Sequence, residues 1–112
     1  MDHFILDRQQ LWEQIDNDQE FLAETLAMLQ EDSRELLASI REAIAVGNSK
    51  HLQESAHALK GALGNFCALE SAETAQRLET LADDDDFLQA ERVGKELELQ
   101  IEELKAALEQ MI

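Results

Sequence analysis

No proline breaks this chain of 112 residues, and only four glycines punctuate it. Proline inside a helix removes a backbone donor and clashes with the preceding turn, so a chain without it can run in long helices. The apolar residues fall at the spacing that such helices need. Leu11, Trp12 and Ile15 predict a short first helix over about Arg8–Ile15, with Asp7 as its cap. Asp18 is the next capping candidate. From Gln19 to Val46, Leu22, Leu26, Leu29, Leu36, Leu37, Ile40 and Ile44 recur at helical spacing. Gly47 and Asn48 suit a helix end, and Ser49 is placed as the cap of a third helix over roughly Lys50–Phe66. A fourth covers about Ser71–Ala82, with Ala75, Leu78 and Leu81 inward. The aspartates at 83–86 form a turn whose last acid favours the next helix N-terminus. The fifth helix runs from about Phe87 to Met111, with Val93, Leu97, Ile101, Leu104 and Leu108 inward. Short connections make sequential helices antiparallel. The expected fold is all-α: one domain over residues 1–112, an up-and-down antiparallel four-helix bundle with a short additional N-terminal helix.

Charge narrows the function. Nine Lys and Arg stand against 25 Asp and Glu, a net charge of −16. A nucleic-acid binder needs a basic face to neutralise phosphates, and an anionic membrane surface would repel this chain. No apolar run approaches the ~20 residues of a membrane span. The N-terminus lacks the charged-then-apolar pattern of a signal peptide. Cys67 is alone, so no intrachain disulfide can form. These features point to the cytoplasm and, through like-charge repulsion, to a monomer.

The most informative stretch is Ala56-His57-Ala58-Leu59-Lys60-Gly61-Ala62-Leu63-Gly64. At about 100° per residue, Leu52, Ala56, Leu59, Leu63 and Phe66 share a narrow core stripe. His57 falls about 140° from its centre, Gly64 about 120°, Gly61 about 180° and Lys60 about 80°. The histidine is thus expected to face outward, beside a patch without side chains and near an amine. Neutral imidazole is a nitrogen nucleophile near neutral pH, and an ammonium one turn away offsets negative charge arriving on it. Each glycine costs a helix interior roughly 0.5–1 kcal/mol relative to alanine. Two on one exposed face therefore point to close approach by another molecule. Lys50, near the same angle about two turns earlier, and Gln53 extend that candidate docking face with Gly61 and Gly64.

The run Ala56-His57-Ala58-Leu59-Lys60-Gly61 resembles the signature of histidine-containing phosphotransfer (HPt) domains. The likeness extends over nearly the whole chain, through the short first helix, the long acidic second helix, the approach from Ala43 to Leu52 and the final helix. It implies that His57 accepts a phosphoryl group from an aspartyl phosphate on a receiver domain and passes it to another receiver aspartate. It implies that Lys60 helps to neutralise that group and that Gly61 leaves room for the receiver. The implied partners are response-regulator receiver domains and a hybrid sensor kinase. Magnesium and the acidic pocket would come from the receiver, with no intrinsic cofactor or metal here. The resemblance also implies a polar side chain from a neighbouring helix against the far nitrogen of His57. One departure stands out: the family's second glycine, ten residues after the histidine, is Cys67 here. Gly64-Asn65-Phe66 just before it also resembles the histidine-bearing domains of chemotaxis kinases.

With no Gly-rich phosphate loop and no kinase signature, the chain is expected to relay phosphate without generating it from ATP. Two other readings compete. Glu54 and His57 form one Glu-x-x-His, but a di-iron bundle needs two such motifs and two further glutamates. A plain interaction bundle or adaptor, with His57 incidental, explains the acidic surface but not the glycine-flanked histidine. The remaining features read more simply. His51 is a surface residue, His3 precedes the first helix, and Trp12 packs the short helix on the bundle. Cys67 is an inert thiol near the core edge. The aspartate run lacks the alternating spacing, glycine and terminal glutamate of a calcium loop.

Overall fold

Three of the expected helix starts open on an aspartate, and each does the work of a cap. The computed structural model describes residues 6–112, so His3 lies outside the described residues. Within them are five helices and no strand: α1 (Arg8–Gln14), α2 (Gln19–Val46), α3 (Ser49–Gly64), α4 (Leu69–Asp83) and α5 (Phe87–Glu109). Asp7 accepts from the Gln10 amide, Asp18 from Phe21 and Asp86 from Gln89. The third cap is Asn48, not Ser49: its side chain accepts from the His51 amide at 3.0 Å. The reason lies one residue earlier. Gly47 adopts φ 70 and ends α2 in a left-handed turn, which leaves Asn48 extended and correctly placed to cap.

The other boundaries shift by small amounts. The first helix ends at Gln14, with Ile15 as its cap, and the last ends at Glu109, two residues before Met111. The third ends at Gly64 instead of Phe66, because the chain turns through Asn65 and Phe66 to Cys67 at φ 56. The fourth begins at Leu69, before the expected Ser71, and Ala68 ahead of it offers no capping side chain. Asp83 belongs to that helix, and Asp84, Asp85 and Asp86 make the turn.

Side-chain pairs across the helices fix the topology. His57 and Lys60 of α3 face Glu79 and Gln76 of α4, so the residue numbers run in opposite directions. Arg77 and Glu70 of α4 meet Glu96 and Gln100 of α5 in the same sense. Gln30 and Arg41 of α2 meet Glu109 and Glu98 of α5. A two-residue connection turns α2 back along α3. Neighbours pack α2–α3, α3–α4, α4–α5 and α5–α2, a closed up-and-down bundle.

The core is a leucine-rich column. Leu22, Ile40, Leu52, Leu59, Leu63, Leu78, Leu97, Ile101, Leu104 and Leu108 are fully buried. Truncating one such leucine to alanine typically costs about 2–5 kcal/mol. Leu36, Ile44 and Leu81, expected inward, pack against the core while half-buried. Helix α1 caps the α3–α4 corner. Leu6 and Leu11 bury there, Trp12 packs half-buried, and the Asp7 amide donates to the Cys67 carbonyl at 3.1 Å. Cys67 is more than an edge residue, since only 4% of its surface is exposed. Burial and, secondarily, the nearby Asp7 carboxylate push its thiol pKa up, which keeps it protonated and unreactive.

At φ 56, Cys67 occupies the left-handed region that glycine adopts freely. Cys67→Gly would relieve about 1–2 kcal/mol of backbone cost while losing a similar burial term. Cys67→Val forces a β-branched residue into the same conformation, at a cost of about 2 kcal/mol. Urea unfolding should therefore show the glycine variant within about 1 kcal/mol of the parent and the valine variant clearly below it. Equal stabilities would show that this turn is not held left-handed.

Candidate functional site

The core stripe of α3 orients the site. Leu52, Ala56, Leu59 and Leu63 are buried without residual exposure, and Phe66 beyond the helix end joins them. Burying this stripe turns the opposite face outward. On it stand Lys50, Gln53, His57, Gly61 and Gly64, three or four residues apart and so aligned along one line. Lys50 is exposed and Gln53 half-buried, and neither shares a hydrogen bond with the histidine. A Cβ added at Gly61 or Gly64 would meet nothing within 4 Å. No internal neighbour requires either glycine.

His57 is 65% exposed at its side chain, yet it is not loose. Its Nδ1 lies 3.3 Å from Oε1 of Glu79 on α4. An ionised carboxylate can only accept, so Nδ1 carries the proton. Nε2 then has the lone pair, and no other described residue holds it with a hydrogen bond. The same Glu79 oxygen takes the Lys60 ammonium at 3.0 Å, and Lys60 also donates to Gln76 Oε1 at 2.7 Å. The structure thus brings His57 and Lys60 together through a shared carboxylate.

Glu79 is the polar residue whose position the motif did not mark. Its side chain is only 11% exposed, low for an acid and sustainable because it is paired. A signal for it was present. Ala75, Leu78 and Ala82 are buried on one face of α4, and Glu79 continues that stripe at helical spacing. A carboxylate on an otherwise apolar stripe needs a partner.

The arrangement suits nucleophilic attack through Nε2. A ring that gains a group at Nε2 while keeping its Nδ1 proton becomes formally cationic. The Glu79 carboxylate accepting that proton stabilises the product more than the neutral ring. If Glu79 sets the tautomer, Glu79→Ala should let the ring drift toward the mixture of free imidazole. The ring-nitrogen chemical shifts at a pH where His57 is neutral report it directly. Shifts identical to those of the parent would show that Nδ1 is not held.

Comparisons with known proteins agree with this fold. A family model for the Hpt domain matches residues 24–111. The crystal structure of histidine-containing phosphotransfer protein B (HptB) from Pseudomonas aeruginosa PAO1 is similar, with a TM-score of 0.87. The match covers 95% of this chain and 92% of that one at 24% sequence identity, a likeness of fold. No curated protein matches. Among the described residues no helix is long and apolar enough to cross a membrane.

Proposed function

This chain belongs to the Hpt domain family, and from that premise we propose that it is a phosphoryl carrier of a multistep phosphorelay, with His57 as the phosphoacceptor. The observation that carries this is the tethered, outward imidazole: 65% exposed, with Nδ1 engaged by a carboxylate that is itself shielded. An interaction bundle with an incidental histidine has no use for a shielded acid beneath it.

The step is an in-line displacement. Nε2 attacks the phosphorus of a receiver aspartyl phosphate, the N–P bond forms, and the P–O bond to the aspartate breaks. The aspartate leaves as a carboxylate. The Nδ1 proton stays on the ring and is held by Glu79, so no proton need be moved. The phosphoryl group keeps two negative charges, and the ammonium of Lys60 offsets part of them. Return of the group to another receiver reverses the same bonds. Magnesium and the acidic pocket belong to the receiver, which docks over Gly61 and Gly64 with Lys50 and Gln53 at its margin. The reaction is placed in the cytoplasm, and the chain draws on ATP only through a partner kinase.

His57→Gln should keep the fold, because the position is exposed, and lose all phosphoryl acceptance. Acid-labile, base-stable label persisting on this variant would overturn the assignment. Gly61→Gln separates docking from chemistry. With open space at its Cβ, it should hold or raise stability by roughly 0.5–1 kcal/mol. Transfer from a receiver should fall, by on the order of 100-fold if the reacting atoms are held about 1 Å apart from their productive geometry. Phosphoramidate, which needs no docking surface, should react nearly as before. A destabilised variant with normal receiver transfer would place the docking face elsewhere.

A further inference from the structure

Lys60 is not a free surface amine. Its side chain is 30% exposed, and its Nζ has two acceptors on α4: Gln76 Oε1 at 2.7 Å and Glu79 Oε1 at 3.0 Å. Only the second carries charge. Gln76 precedes Glu79 by one turn of α4, and Lys60 follows His57 by one turn of α3. The antiparallel crossing gathers these four side chains into one patch.

We infer that Gln76 is a positioning residue for phosphoryl transfer at His57, its uncharged oxygen holding the Lys60 ammonium beside the imidazole without neutralising it further. This rests on the phosphoryl-carrier reading given above. An ammonium has three N–H donors. Gln76 and Glu79 take two of them, which leaves the third for an oxygen of the arriving phosphoryl group. One ammonium and one carboxylate make the patch neutral before that group arrives. A second carboxylate at position 76 would make it negative, facing a group that already carries two negative charges. At separations well inside a Debye length such repulsion is only partly screened. An apolar side chain at 76 has the opposite fault. The ammonium would collapse onto Glu79 alone, move away from the phosphoryl site and compete with the Nδ1 proton for the same oxygen. An amide supplies an acceptor without charge and avoids both.

The test uses phosphoramidate, so that loss of docking cannot imitate loss of chemistry. Wild type, Gln76→Leu and Gln76→Glu are phosphorylated, and Gln76→Leu is also placed on a Lys60→Met background. Gln76→Leu should slow uptake about 5-fold and Gln76→Glu about 10-fold or more, less than the roughly 100-fold of deleting an oriented donor outright, because Lys60 itself remains. On the Lys60→Met background, Gln76→Leu should add less than about twofold, because its effect runs through the lysine. The His57 ring-nitrogen shifts should move in Gln76→Leu toward less protonation at Nδ1, which a merely structural role would not produce. Gln76 is exposed, and the glutamate variant matches it in shape, so charge is separated from packing. Uptake at the parental rate in both Gln76 variants overturns the inference, as does an equal loss from Gln76→Leu with and without Lys60. Wild-type protein that forms no phosphohistidine at His57 overturns the carrier reading itself. Normal wild-type uptake with indifferent Gln76 variants overturns this inference alone.

Discussion

One carboxylate oxygen organises the working face of this bundle. Glu79 Oε1 meets the His57 ring at 3.3 Å and the Lys60 ammonium at 3.0 Å, from a side chain that is 11% exposed. An acid so far removed from water is sustainable only with partners: without Lys60 its charge would be unbalanced, and without the acid the Nδ1 proton would be unheld. The pairing requires α3 and α4 to lie close and in one register. Ala56 on α3 and Ala75 and Ala82 on α4 are buried where the bundle closes, and small side chains permit that approach. Leu52, Leu59, Leu63 and Leu78 fill the space around them and resist a slip along the helix axes. The placement of the His57 ring is therefore set by core packing on the far side of its own helix.

The two faces of α3 answer to different demands. The inner one is buried in the core through Leu52, Ser55, Ala56, Leu59 and Leu63. The outer one gives up stability: Gly61 and Gly64 stand where alanine would fit without meeting a neighbour and would raise helix propensity. Such a local loss of stability is the compromise expected if this face docks a partner as proposed above. Charge follows the same division. The chain as a whole is at −16, yet Lys50, Lys60 and the neutral Gln53 and Gln76 lie around His57. Glu79 also lies against the ring and Glu54 one turn before His57, so this face is less acidic than the chain as a whole without being basic.

Much of this was legible from residue spacing. Apolar periodicity located all five helices, because amphipathic burial dominates each of them. Asp7, Asp18 and Asp86 announced three of the starts. Two starts were harder. Asn48 and Ser49 are both good caps, and the choice depended on the left-handed turn at Gly47. Helix α4 begins after an alanine that carries no capping group, so nothing local marks Leu69 as helical. His57 and Lys60 were visible because they share a helix turn. Glu79 was not, since it is one of 25 acids and lies 22 residues away in sequence. Its pairing is a matter of tertiary register, which no local pattern encodes. The nearest clue was compositional: an acid set into the stripe of Ala75, Leu78 and Ala82.

Cys67 stands where the pattern this chain resembles has glycine. It has φ 56, a left-handed conformation that glycine adopts freely and that cysteine holds here. Its backbone carbonyl accepts from the Asp7 amide, which makes the corner a seat for α1, and Gln14 adds a bond to the Asn65 carbonyl at 2.9 Å. These contacts end α3 firmly just beyond Gly64. A helix anchored at that end, and capped by Asn48 at the other, has little freedom to rotate about its axis. Rotation would carry His57 away from Glu79 as surely as a slip in register. The strain accepted at Cys67 thus helps to keep the His57 ring outward and paired with Glu79, through contacts that lie outside the site itself.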